Sequence, residues 1–200
     1  MSLTWDTQGT HYYNNGVDHG VLFVFDSTTG KYGTGVAWNG LTAVNEQPSG
    51  AEPTTVWADN IKYLTLMSAE EYKFTIEALD APDAFAACDG RATISLGNSD
   101  TGEIGQQTRK VFAFSYRTRV GSDTDGAVKS YKIHYVFGCL ASPAEMNHQT
   151  VNDSPEAASL SWSVSSTPIT VNGKTFSTLT IDDADGTYDN SVIPDALGLQ

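Results

Sequence analysis

A mainly β fold, a sandwich or partly closed barrel with one short α-helix, is what this sequence predicts, and three observations carry the prediction. Residues 109–137 hold two strand patterns joined by the richest turn signal in the chain. Residues 158–165 and 167–181 repeat that period of two, the second around an Asn172-Gly173 pair. Only the stretch 80–90 reads as helical. Alternation at every second residue places side chains on opposite faces of a strand, and many such segments with few helices make a β class.

In chain order, the first apolar strand is Val21-Leu22-Phe23-Val24-Phe25, and Ser27-Thr28-Thr29-Gly30 turns the chain after it. A second strand pattern runs from Gly35 to Val44. Residues 46–55, with two prolines, a glycine and no periodicity, read as an extended loop, and such loops in compact domains usually have a job. We expect an assembly arm at about 46–60, flexible in the free subunit, that includes Glu46, Pro48, Gly50, Glu52, Pro53 and Trp57. Next, Ser68-Ala69-Glu70-Glu71 matches a helix capping box, yet Tyr72, Phe74, Ile76 and Ala78 alternate with Glu71, Lys73, Thr75 and Glu77. The alternation predicts a strand. Pro82 near the start and Gly90 after the end of an alanine-rich segment predict the short helix. Ala92 to Leu96 is a brief strand, and Gly97 to Gly105 a polar loop.

The central hairpin has Phe112, Phe114, Tyr116, Thr118 and Val120 on one face of its first arm, and Tyr131, Ile133, Tyr135, Phe137 and Cys139 on one face of its second. Residues 121–126 form its exposed tip. Ala158, Leu160, Trp162 and Val164 alternate with serines, a half-buried strand. The last hairpin turns at Asn172-Gly173, the favoured two-residue pair. Residues 182–200, with four acids within 182–189, read as a mobile acidic tail. In all, eight or nine strands are expected, and Phe112, Phe114, Tyr135 and Trp162 should be buried.

At 200 residues, 40% hydrophobic and 10% aromatic, the chain fits one domain, 1–200. Its start has neither a basic segment nor an apolar run, and no later run has the length of a membrane span, so a soluble cytosolic product is expected. Cys88 and Cys139 read as free, buried thiols. A net charge of −13 argues against a grip on nucleic acid phosphates, which needs a surplus of Lys and Arg. The 109–137 hairpin is the exception, with six of the eleven basic residues, a net +4 that leaves −17 on the rest. We expect Arg109, Lys110, Arg117 and Arg119 to contact acidic surface on a neighbouring subunit.

Fragments that suggest catalysis or ligands lack the context those chemistries require. Asp100-Thr101-Gly102 spells the aspartic-protease triplet but follows Gly97-Asn98-Ser99 instead of an apolar strand, and it reads as a turn. Gly173-Lys174-Thr175 has Pro168 where a phosphate-binding loop needs glycine. Asp123–Gly126 and Asp182–Gly186 lack the full calcium-loop ligand set and read as solvated acidic turns. His11, His19, His134 and His148 have no zinc spacing. No catalytic, cofactor or metal residue is therefore expected, and the protein is expected not to be an enzyme.

The string Gly35–Val44, the loop Pro48–Pro53 and Ala58-Asp59-Asn60-Ile61-Lys62-Tyr63 resemble the major tail proteins, or tail tube proteins, of long-tailed bacteriophages of the siphophage type. Ser68–Glu71, Thr75–Ala78, Pro82-Asp83, Cys88-Asp89-Gly90, Gly105–Lys110 and Val151–Glu156 continue that resemblance in the same order, over about Trp5 to Ile181. The resemblance implies a fold like that of the type VI secretion tube protein. It implies a structural virion protein, made and assembled in the host cytoplasm, that stacks as hexameric rings into the tube through which double-stranded DNA is ejected. The partners implied are other copies of the chain, a tape measure protein, tail terminator and tip proteins, and DNA that passes without specific binding; no membrane or cofactor is implied. An alternative is a carbohydrate-binding β-sandwich with Trp5, Trp38, Trp57 or Trp162 as its stacking platform. A third class, an aspartic-type hydrolase, would need Asp100.

Overall fold

The computed structural model describes residues 3, 11–97, 100–123, 127–146, 150 and 157–200. Its first strand, β1 (Tyr12–Asp26), starts well before the apolar run because the polar residues Tyr12–Asn15 also pair across the sheet. β2 (Lys31–Tyr32) follows. The Gly35–Val44 pattern divides into β3 (Val36–Trp38) and β4 (Leu41–Glu46), since Gly40, at φ 80°, turns the chain between them. β5 (Ser49–Gly50), β6 (Pro53–Ala58) and β7 (Ile61–Met67) come next. β8 (Glu70–Ala78) is a strand, so alternation outweighs the capping box.

A 3-10 turn at Asp83–Phe85 runs into the four-residue helix α1 (Ala86–Asp89), which Pro82 precedes and the left-handed Gly90 ends. β9 (Ala92–Gly97) and β10 (Asp100–Ile104) form a hairpin where the sequence predicted a strand and a polar loop. β10 has no fully buried face, so it lacks the apolar alternation by which a strand is recognised. Then come β11 (Phe112–Ser122), β12 (Val128–Ala141), β13 (Glu145–Met146) and β14 (Leu160–Ser166). β15 (Ile169–Val171), β16 (Lys174–Phe176) and β17 (Thr178–Asp183) complete the strands. That is seventeen among the described residues, against eight or nine expected, because several have only two or three residues and no readable period.

Along the main sheet the order is β2-β1-β11-β12-β14-β8-β4, with β3 also on β1, β17 on β12, β13 on β14 and β5 on β8. The path does not close on itself, so the class is mainly β with an open sheet. β11 and β12 lie at its centre, as the sequence predicted.

Both faces of this central hairpin are covered. Phe112, Phe114 and Tyr116 join Leu22, Trp38, Phe74, Ile76, Phe85, Trp162 and Val164 in one core. Ile133, Tyr135 and Phe137 join Val21, Phe23, Tyr32 and Ile193 in a second core on the opposite face. The register explains the division: Phe114 sits opposite Val136 and Ser115 opposite Tyr135, so the two aromatic rows point away from each other. Gly138, at φ 61°, then marks a bulge that shifts the phase of β12 and brings Cys139 and Ala141 into the first core. A Cβ there would lie 2.1 Å from the Thr167 carbonyl oxygen, so only glycine fits. Beyond the bulge β12 pairs with β14, where before it pairs with β17.

Phe112, Phe114, Tyr135 and Trp162 are all fully buried, as expected. Cys88 and Cys139 are buried free thiols, and burial pushes the Cys88 thiol up to about 12. The segment 182–200 is not the loose tail predicted from its charge. Ile193 is buried in the second core, the Tyr135 hydroxyl donates to the Val192 carbonyl (2.9 Å), and the Tyr32 amide donates to the Leu199 carbonyl (2.8 Å). Asn190 Nδ2 donates to the His19 carbonyl (2.7 Å). Burying an Ile side chain contributes about 1.5–3 kcal/mol.

Candidate functional site

Residues 53–67 stand apart from everything above. β6 and β7 pair only with each other, from Pro53 opposite Met67 to Ala58 opposite Ile61, and share no more than marginal contact with other elements. Asp59 and Asn60, at φ 51° and 65°, form the left-handed two-residue turn that matches strand twist. The structure thus replaces the irregular loop expected at 46–60 with a hairpin displaced toward the C-terminus. Asp-Asn at the tip, with β-formers on either side, is the local signal that finds it.

Its faces follow from the register. Val56 lies opposite Leu64 and Thr54 opposite Leu66, and after a one-residue shift Ala58 lies opposite Ile61. Val56, Ile61, Leu64 and Leu66 therefore share one face, all of them exposed. The other face bears Trp57, 68% exposed, and Met67, 69% exposed. A two-stranded hairpin in water is marginal even when one face is covered. The run of exposed apolar residues on the first face, with Trp57 and Met67 on the second, makes this hairpin an exposed apolar patch. Its single acid, Asp59, and single base, Lys62, leave it uncharged.

The remaining expected arm residues form the hairpin's root. Glu46 ends β4 and accepts a short hydrogen bond from the Tyr116 hydroxyl, while the Gln47 amide donates to the Lys73 carbonyl (2.7 Å). Gly50, in β5, pairs with Glu70 at φ 88°, where a Cβ would lie 2.4 Å from the Ala69 carbonyl oxygen. Pro48 and Glu52 are exposed.

The basic residues expected at a neighbouring subunit do not make one patch. Asp18 lies opposite Arg117 in the β1–β11 register, so the Arg117 guanidinium donates to both its carboxylate oxygens (2.7 and 3.2 Å). Arg117 also stacks on Tyr131, 4.3 Å from the ring centre. Its side chain is only 16% exposed, so it is committed within its own chain. Arg119 shares Asp18 through Nη2 (2.8 Å), yet is 49% exposed. Arg109 donates to the Ala141 carbonyl (2.8 Å), and Lys110 is exposed. Arg109 precedes β11, whereas Arg117 and Arg119 lie within it.

No catalytic arrangement emerges from the other candidates. Asp100 is an exposed residue of β10, and Gly173-Lys174 continues the left-handed Asn172-Gly173 turn of the β15–β16 hairpin. Asp183, expected to be solvated, is buried and closes a turn by accepting from the amides of Gly186 (2.9 Å) and Tyr188 (3.3 Å). Among the described residues no group of three or more His, Cys, Asp and Glu could hold a metal. None of the described helices is long and apolar enough to cross a membrane. Trp38 and Trp162 lie in the core, which removes two of the four platform tryptophans, and Trp57 stands on the hairpin. Trp5, His148, residues 124–126 and 151–156 lie outside the described residues.

No protein-family model matches the chain, and no curated protein matches it. Among solved structures it is similar to a chain of the anti-feeding prophage baseplate, determined by cryo-EM with six-fold symmetry. That likeness has 6% identity, covers 90% of this chain and 97% of the other, and has a TM-score of 0.38. A chain of the PVC sheath–tube complex, an extracellular contractile injection system in the extended state, is similar at 8% identity. It covers 82% of this chain and 88% of that one, with a TM-score of 0.36.

Proposed function

We propose that the chain is a structural protein of a long-tailed phage, which polymerises as stacked hexameric rings into a tail tube, with residues 53–67 as the arm that one copy lends to another. The observation that carries the reading is the exposed hairpin. An acidic molecule repels its own copies over most of its surface, and the uncharged apolar hairpin is where two copies approach at least electrostatic cost. The sequence resemblance supplies the ring and tube. On this reading the protein is a virion component with no enzymatic role. Its partners are further copies, tape measure, terminator and tip proteins, and DNA that traverses a lumen of acidic or small polar side chains unbound. Such walls matter because several phosphate contacts per ring would multiply along a tube and hold the duplex.

The test is hydrogen exchange along the chain before and after polymerisation. Amides of 53–67 should exchange rapidly in the free subunit and become protected in the assembly, while β11 and β12 are protected in both. Equal exchange of 53–67 in the two states would contradict the arm.

A further inference from the structure

At the root of the hairpin four elements meet in one polar cluster. Glu46 comes from β4, Tyr72 from β8, Tyr116 from β11 and His134 from β12. The Tyr116 hydroxyl donates to Glu46 Oε1, and the buried Tyr72 hydroxyl, within electrostatic reach of the same carboxylate, makes no hydrogen bond among the described residues. His134 stacks on Tyr116, ring centres 4.7 Å apart and planes 9° from parallel. Its Nε2 is 3.0 Å from Thr118 Oγ1, and its Nδ1 is 3.5 Å from Thr180 Oγ1. Lys132 and Asp182 also face the imidazole, with opposite effects, and burial, the largest influence, holds His134 below its ordinary range.

The rings of Tyr116 and Tyr72 belong to the edge of the first core, while their hydroxyls reach the polar cluster. The cluster sits where the chain leaves β4 and where it returns on β8. The two legs are joined to each other by Ser49 opposite Glu71, Gly50 opposite Glu70, and the Gln47 amide on the Lys73 carbonyl. Within the cluster, the Tyr116–Glu46 hydrogen bond joins the end of β4 to the central β11–β12 hairpin. Between Gly50 and Pro53 the chain passes from these pairings into the hairpin.

We propose that Glu46, Tyr72, Tyr116 and His134 form a latch that fixes the root of the 53–67 hairpin to the central sheet and so sets the direction in which the hairpin leaves the subunit. Glu46 is the positioning residue. Its carboxylate accepts from the Tyr116 hydroxyl and is the acceptor within electrostatic reach of the buried Tyr72 hydroxyl, and the imidazole clamps the Tyr116 ring from behind. The value of the latch rests on the reading of the hairpin as an assembly arm; its existence does not.

The experiment is hydrogen exchange on the full chain as free subunit, comparing wild type with Glu46→Gln, Tyr116→Phe and the double variant. A charge-assisted hydrogen bond is worth enough that its loss should speed exchange at 46–50 and 70–73 by about tenfold or more. Exchange in β11 and β12 away from residue 116 should not change. The double variant should be no faster than the faster single, because both changes remove one shared contact. Additive effects, or unchanged exchange at 46–50 and 70–73, would overturn the latch. Because the readout is taken before assembly, a wild type that forms no tubes would contradict the arm and leave this result standing.

Discussion

Asp18 shows how much a single side chain can decide. Burial would raise its carboxyl, but hydrogen bonds from Arg117, Arg119 and His19 outweigh that and hold it well below the usual carboxylate range. Because the folded value is depressed, the contribution is present above the unfolded value near 3.9 and is lost as pH falls through the folded one. Asp18→Asn should therefore cost about 1–2 kcal/mol at neutral pH, between an exposed and a buried pair. It should also flatten the fall in stability below about pH 4, measured by urea unfolding across pH; an unchanged acid slope would mean that Asp18 is a bystander. Phe114→Ala should cost about 3–5 kcal/mol, since the ring is fully buried against Trp38, Phe74 and Tyr116. A loss under about 1 kcal/mol would contradict the core as described. Which aromatics are buried was legible from alternation alone. That the rows 112–116 and 133–137 face opposite ways was not, because alternation gives the faces of a strand but not the register that relates two strands. The pairing of Arg117 within the chain was hidden for the same reason: Asp18 lies 99 residues away, fixed by the β1–β11 ladder.

At the scale of elements, strands with one wet face were readable. Serine at every outward position of β14 and Asn172-Gly173 between β15 and β16 located those elements from composition alone. Strands with no buried face left no such trace. β10 and β6 read as loops because a two-stranded hairpin outside the core imposes no alternation on its sequence. The acidic segment after β17 misled in the opposite sense, since one buried Ile193 anchors what charge alone would release. The 53–67 hairpin gives this scale its prediction. Leu64→Glu with Leu66→Glu places two charges on an exposed face, so the free subunit should keep its stability within about 0.5 kcal/mol for each change. Assembly, followed by light scattering, should be abolished. Assembly at the wild-type rate would show that this face is not the one buried between copies.

The whole molecule sets a net charge of −13 against the uncharged apolar projection of residues 53–67. Repulsion between copies should weaken with salt, since charges beyond about 8–10 Å are screened near physiological ionic strength, while apolar burial persists. Polymerisation should accordingly be faster at higher salt, the reverse of what an arginine-to-acid interface would give. The central claim is that this chain alone contains the surfaces that build a tube. Electron microscopy of the purified full-length protein, concentrated at neutral pH, tests it most directly. The wild type should form six-fold rings and stacked tubes, and the Leu64→Glu, Leu66→Glu variant single subunits; a wild type that remains monomeric at every concentration and salt level would rule the tube out.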